Sequence, residues 1–248
     1  MESLYPYLKV HMNSANLRAL VIGCSTGYEI EILLKSPFDF DTVDGLDANK
    51  GSVRIAQDRF SHLNNVRISK GYVEDLTEDY DFVVATMVWE HIPKAWEALS
   101  HIAKHQPQSG ILAIQVPRYD NRIPKAIRGK TWYYIMDAHL WYFTKMGLTL
   151  MLERCGYELI TVQNAPRYAT LGFALVKIIK ATIRHLAPYF MGRGDNLADW
   201  DRLRQMNSLE RKIDRLERLG DRLGFTLATR VLEIGFLNDA MTVVGKKR

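Results

Sequence analysis

Five short runs of apolar, often β-branched residues recur along the first half of the chain: RALVIG, DTVDGLD, NVRISKG, DFVVAT and GILAIQVP. Each is separated from the next by a stretch long enough for a helix, and YEIEILLKS, GSVRIAQDRF and AWEALSHIAKH repeat their apolar positions at helical spacing. Strand runs alternating with helical periods read as βαβ units, whose strands lie parallel because each crossover returns the chain to the same end of the sheet. The pattern predicts an α/β fold with a Rossmann-like, doubly wound, mainly parallel sheet. TKMGLTLMLERCGYELITV continues it as a helix stopped at Gly156 and then a strand, and the late run AMTVVGKK reads as one more strand.

The alternation breaks down over residues 167–236. The expected organisation is therefore a core of residues 1–166, a helical insertion over 167–236, and a terminal strand over 237–248 that completes the core sheet. Within the insertion, Leu171, Ala174, Leu175, Ile178 and Leu186 fall on one helical arc with Lys177, Lys180 and Arg184 opposite. An apolar helix with a cationic face suits an anionic membrane surface, so 168–190 is a candidate for peripheral membrane contact as well as for packing on its own domain. Met206, Leu209, Ile213, Leu216 and Leu223 then form a heptad-like stripe too short for an autonomous coiled coil. A helical hairpin that folds back, lids a site or joins a second copy as a homodimer is expected there.

Composition changes this picture little. With 47% hydrophobic and 25% charged residues the chain is of ordinary globular make-up, and its net charge of +5 favours an anionic acceptor. No dense Lys/Arg stripe with interleaved aromatics spans the chain, so nucleic acid is not an expected partner. Cys24 and Cys155 have neither disulfide-framework nor zinc spacing. With no apolar run of about 18 residues and no signal-peptide pattern, the expected location is cytoplasmic, peripheral at a membrane at most.

The chemistry begins at ALVIGCSTGYEI, a strand, a small-residue turn and a helix. Gly23 and Gly27 let the chain turn sharply and approach a ligand closely, although an ordinary structural turn needs glycine for the same steric reason. Asp47, closing VDGLD twenty residues after Gly27, stands at the tip of the second strand, where a carboxylate can accept from a ribose diol. The turn lacks the G-x-G-x-x-G spacing of a dinucleotide site.

RALVIGCSTGYEIEILLK, VDGLD, GYVEDL, YDFVVATMVWEHIP, GILAIQVP and HLWYFTKMGLTLMLERCGYELI together resemble successive motifs of class I S-adenosylmethionine-dependent methyltransferases. The resemblance is to the small-molecule branch that includes ubiquinone-biosynthesis-like O-methyltransferases, over roughly residues 17–165 and the terminal NDAMTVVGKK. It implies S-adenosylmethionine as cofactor. Gly23, Cys24, Ser25 and Gly27 would wrap its methionine part, Asp47 with Ala48 would hold the ribose, Tyr72, Val73 and Glu74 would flank the adenine, and Thr86 and Met87 would line the sulfonium end. The chain departs from the family pattern at Val21, where an acid usually helps hold the ammonium group, at Ser25, usually glycine, and at Tyr72, often Asp. Losing a charged partner for a partly buried ammonium costs on the order of 1.5–3 kcal/mol, roughly ten- to a hundredfold in affinity. Glu29 and Glu31 in the following helix are the nearest acids in sequence.

Methyl transfer from a sulfonium is an in-line displacement helped mainly by positioning, with a general base needed for a poorly ionised hydroxyl. His139 and His91 stand on the substrate side of the resemblance as candidate bases, and structural roles for both stay open. Trp132, Tyr133, Tyr134, Trp141 and Tyr142 surround His139 in sequence as a candidate acceptor pocket. No metal is expected, because Met87 stands where some ubiquinone-type relatives place a Glu ahead of the Glu-His pair. Arg118, Arg122, Lys125, Arg128 and Lys130 form either an anion-binding rim or a solvated charge run. The expected activity is S-adenosylmethionine-dependent methylation of a small-molecule acceptor, on oxygen, the alternative being a degenerate methyltransferase-fold partner protein that binds cofactor weakly or not at all.

Overall fold

A computed structural model describes residues 4–12, 16–120, 139–165 and 240–248. By its contacts the chain divides into one unit of Met1–Ala165 with Asp239–Arg248 and a second of Pro166–Asn238. The amphipathic stretch 168–190, the heptad-like stripe, Trp132, Tyr133, Tyr134 and the basic residues Arg122, Lys125, Arg128 and Lys130 lie outside the described residues. Among the described residues no helix is long and apolar enough to cross a membrane.

The first unit follows the expected alternation. In chain order it runs α1 (Tyr5–His11), β1 (Leu17–Ile22), α2 (Tyr28–Leu34), β2 (Phe40–Asp47), α3 (Lys50–Phe60), β3 (Val66–Lys70), β4 (Phe82–Thr86), α4 (Ala95–Lys104), β5 (Ile111–Pro117), α5 (Lys145–Arg154), β6 (Tyr157–Ala165) and β7 (Ala240–Lys247). The strands form a seven-stranded sheet in the order β3-β2-β1-β4-β5-β7-β6. β1 to β5 pair in parallel, and β7 enters antiparallel between β5 and β6. The strand order reverses between β1 and β4, which leaves a crevice beyond the carboxyl ends of those strands, the usual ligand position of a doubly wound sheet.

Alternate strand residues feed two apolar layers, as the pleat requires. Leu20, Ile22, Val83, Ala85, Leu112 and Ile114 point to one layer, where α4 contributes Ala95, Ala98, Leu99 and Ile102 and α5 contributes Leu148 and Leu152. Ala19, Val21, Phe82, Val84, Ile111 and Ala113 point to the other, covered by Ile30 and Leu33 of α2 and by Leu4, Leu8 and Met12 at and beside α1. Helix α1 was not expected from the pattern. It is short, and its cues are a proline at its first turn and apolar residues at Leu4, Leu8 and Met12, one turn apart.

Two local devices shape the elements near the site. Thr144 caps α5 by accepting from the Gly147 amide at 3.0 Å, and Gly156, at φ +85, ends it in the left-handed region as its position predicts. Buried Asp44 of β2 accepts from Arg67 Nε and from the Tyr80 hydroxyl, both at 2.8 Å, which ties β2 to β3 and to the segment entering β4. Arg67 and Arg18 also meet Glu78, and these contacts hold the Glu78 carboxyl below the usual carboxylate range.

Candidate functional site

The turn after β1 is held by the backbone of the next strand. The amides of Gly23 and Cys24 both donate to the Leu46 carbonyl, at 2.7 and 3.1 Å, so the chain folds over the end of β2 before α2 begins. Gly23, Ser25 and Gly27 all have positive φ, at +68, +48 and +92. A Cβ on Gly23 would sit 2.0 Å from a Val88 methyl carbon, and one on Gly27 would sit 2.3 Å from the Phe60 ring. Both glycines are therefore dictated by backbone conformation and by packing within the protein. Ser25 adopts the left-handed region with a side chain, an arrangement that stores strain of order 1 kcal/mol or more.

Asp47 sits directly under this turn. One carboxylate oxygen accepts from the Ser25 amide and the other from the Asn49 amide, each at 2.8 Å. A carboxylate offers about four lone-pair sites, so this one still has capacity for a ribose diol. Gly71 joins the same corner, its amide donating to the Asp47 carbonyl at 3.1 Å. The tight turn of Val73–Asp75 follows, with Val73 buried and Tyr72, 60% exposed, presenting its ring at the rim. The spare acceptor capacity of the Asp47 carboxylate fits the hydroxyls of a ribose.

Of the two acids nearest Val21 in sequence, Glu31 does not stand in for the acid of β1 that the family pattern has. Val21 is 1% exposed and belongs to the apolar layer with Ile30 and Val84. Glu31 is engaged with Lys35 and Arg59, and the Lys35 contact in particular lowers its pKa. Cys24, buried between the turn and Gly45, has its thiol pushed up to about 12 by burial and then by the Asp47 charge, so it is a neutral packing group at physiological pH.

The other wall of the crevice follows β4. Thr86 ends the strand, and Met87 takes φ +55 while its amide donates to the Gln115 carbonyl at 2.8 Å. A non-glycine residue held there by strand pairing turns the chain sharply into the tight turn Trp89–His91. Glu90, in that turn, is fully buried, and its backbone carbonyl accepts from the Leu140 amide at 2.8 Å and the Trp141 amide at 3.3 Å. The Trp141 indole donates to the Ile92 carbonyl at 2.8 Å. These bonds staple the segment from His139 onto the turn after β4.

The staple brings the two candidate bases together. The rings of His91 and His139 lie 4.9 Å apart, edge to face, and His91 Nε2 is 3.9 Å from a Glu90 carboxylate oxygen. His139 is buried. Ligand atoms of Glu90, His91 and His139 all lie within 4.8 Å of one another, a spacing that one divalent ion could bridge. To the adjacent Glu90 and His91, His139 brings a third possible donor from 48 residues beyond His91 in sequence. Glu90 is thus the site residue that sequence reasoning underweighted. Its signal was an acid between Trp89 and His91 in a stretch otherwise built for burial.

The aromatic candidates divide. Trp141 is a tether at its indole nitrogen and stacks on Phe143 at 6.3 Å, while Tyr142 packs against Tyr119 at 5.5 Å. Both keep over two-fifths of their surface exposed and can border an acceptor. Arg118 donates to Asp120 at 2.8 Å and Asn164 at 2.7 Å, a local ion pair at the end of β5.

Comparison with known proteins is in keeping with this geometry. The family profile "Methyltransferase domain" matches residues 6–162. The chain is similar to a malonyl-[acyl-carrier protein] O-methyltransferase of Halalkalibacterium halodurans, 29% identical over 99 residues, covering 38% of this chain and 36% of the relative. It is also similar to a trans-aconitate 2-methyltransferase of Deinococcus radiodurans, 29% identical over 96 residues, covering 39% of this chain and 36% of the relative. The matched region thus spans little more than a third of either relative's length. Its fold is shared with phosphoethanolamine N-methyltransferase 2 of Haemonchus contortus, a structure in complex with S-adenosyl-L-methionine, at TM-score 0.58 and 14% identity, covering 99% of this chain and 52% of that one. With the profile matched over more than half of its length, the chain belongs to the methyltransferase-domain family, with S-adenosylmethionine as its cofactor.

Proposed function

We propose that the chain methylates an oxygen atom of a small polar acceptor, with His139, His91 beside it, taking the proton where that acceptor is a hydroxyl. The observation that carries this reading is the pairing of two groups beyond the carboxyl ends of the strands. The glycine turn and Asp47 follow β1 and β2, and the buried Glu90 and His139 meet the partly exposed His91 on the turn after β4. When bound, S-adenosylmethionine supplies a methyl carbon made electrophilic by its sulfonium sulfur. The chain's part is to accept from the ribose at Asp47, to exclude water with Trp141 and Tyr142, and to hold the acceptor at the histidines. A hydroxyl acceptor needs its proton removed, and an imidazole, with an ordinary pKa near 6.5, suits that task. A carboxylate acceptor is already ionised at neutral pH and needs positioning alone. The name of the first relative specifies O-methylation, which supports oxygen as the receiving atom.

Buried, apolar Val21 favours a second reading, a methyltransferase-fold partner protein with weak or no cofactor binding. Calorimetry with S-adenosylhomocysteine, followed by transfer of labelled methyl to trans-aconitate with and without EDTA, separates the readings. Cofactor binding with label transfer that survives EDTA supports the enzyme acting without a metal. Transfer abolished by EDTA shows dependence on a divalent ion, for which Glu90, His91 and His139 are the candidate ligands, and no binding at millimolar ligand leaves the partner reading.

A further inference from the structure

Across four adjacent strands the sheet carries a row of polar side chains in lateral register. Thr86 of β4 pairs with Gln115 of β5, Gln115 with Thr242 of β7, and Thr242 with Gln163 of β6. Residues opposite one another in a sheet share a face. Val84, Ala113 and Val244, each two residues from the row on its own strand, belong to the apolar layer that contains Leu4 and Leu8, so the row lies on the face that α1 covers. Thr86 and Gln115 are partly exposed and Thr242 is buried.

Apolar side chains would satisfy the packing of this face, as they do two residues away. Instead, Gln115 Nε2 donates to Thr242 Oγ1 at 3.2 Å. That leaves the second Nε2 hydrogen and the two threonine hydroxyl hydrogens to be offered from one wall. Between this wall and Leu4, Val84 and Ala113 is a cavity of about 10 Å³, space for one water-sized group.

We propose that Thr86, Gln115 and Thr242 form a hydrogen-bonding floor that holds a second oxygen-bearing group of the methyl acceptor, a carboxylate or a carbonyl. The inference rests on the methyltransferase reading and on the place at the sulfonium end that the family resemblance implies for Thr86. Strands are spaced about 4.8 Å apart, so Gln115 and Thr242 stand roughly 5 and 10 Å along the sheet from β4. The floor therefore measures the acceptor: the held group lies one to two strand spacings from the atom that is methylated. Its available hydrogens suit an oxygen that accepts hydrogen bonds, and the chain's net charge of +5 draws anions in. Leu4, which closes the cavity from the start of α1, has to shift for a carbon chain to enter.

The test uses the full chain loaded with S-adenosylhomocysteine and two probes, trans-glutaconate and crotonate, which differ in the second carboxylate. Glutaconate is expected to bind about tenfold or more tightly than crotonate. Gln115→Met and Thr242→Val are each expected to erase most of that difference while leaving S-adenosylhomocysteine affinity and melting temperature near the parent values. Glutaconate monoamide tells the two oxygen sources apart, matching the diacid if a carbonyl suffices and falling behind it if the carboxylate charge is used. Equal binding of glutaconate and crotonate by the parent chain, or a difference that survives both substitutions, overturns the proposal. Failure of the parent chain to bind S-adenosylhomocysteine instead overturns the methyltransferase reading, so the two failures are distinct.

Discussion

The two walls of the crevice are built in different ways. On the β1–β2 side, the turn, Asp47 and Asn49 come from one continuous stretch, and main-chain amides make the contacts: Gly23 and Cys24 to Leu46, Ser25 and Asn49 to Asp47. On the β4–β5–β7 side there are two groups of side chains, Glu90, His91 and His139 after β4 and Thr86, Gln115 and Thr242 with Leu4 over the sheet, and both draw on segments scattered over the whole chain. Apart from the Asp47 carboxylate, which two of these amides meet, the turn relies on main-chain atoms, and a small side chain at Ser25 fits it. A side-chain-built site depends on each residue, so substitution should divide the two walls by what it alters.

The largest expected effect is on the second wall. His139→Asn should lower kcat with a hydroxyl acceptor by about 10²- to 10⁴-fold and leave S-adenosylhomocysteine affinity within about twofold. A matching fall in cofactor affinity would mean that His139 supports the fold of the crevice and not the chemistry.

The next effect concerns the first wall. Val21→Asp restores an acid beneath the turn and should tighten S-adenosylmethionine roughly ten- to a hundredfold, at the cost of a lower melting temperature from a carboxylate placed among Ile30 and Val84. Unchanged affinity would show that the ammonium group is held elsewhere.

The same contrast explains what was legible in the chain. The glycine turn, Asp47, β1 to β5 and the stop at Gly156 are local patterns, in which spacing along the sequence maps directly onto spacing in the fold. The approach of His139 to Glu90 depends on a staple by the Leu140 and Trp141 amides, and no periodicity encodes it. The lateral row from Thr86 to Gln163 exists only once β7 has inserted between β5 and β6, and its pairing with β5 joins residues more than a hundred positions apart. Helix α1 escaped for another reason: seven residues hold too few turns for a period to show. The aromatic candidates show a further limit, because a ring's place in the sequence does not say whether its polar atom serves a ligand or, as in Trp141, a neighbouring carbonyl.

Smaller effects sharpen the account of the turn. Ser25→Gly relieves the left-handed strain and should stabilise the protein by about 1 kcal/mol, read as a raised melting temperature. A loss of stability would show that the serine side chain contributes more than its strain removes. Cys24 gives the smallest signal and a defined sign. Its folded pKa is raised, to about 12 against an ordinary 9.0, so the stability linked to the protonated thiol is complete below pH 9 and is lost as pH rises toward 12. Cys24→Ala should flatten part of the alkaline fall in melting temperature between pH 9 and 11. An unaltered slope would assign that fall to other groups, such as the buried hydroxyls of Tyr80 and Tyr157, whose pKa values are raised as well.

The central claim is that Asp47 and the turn above it hold S-adenosylmethionine despite the apolar residue at Val21. Titration calorimetry of the parent chain and of Asp47→Ala with S-adenosylhomocysteine tests it most directly. Saturable binding by the parent chain, weakened about tenfold or more by the substitution, is the expected result. Equal affinity in the two proteins, or no binding by the parent chain at millimolar ligand, would contradict it.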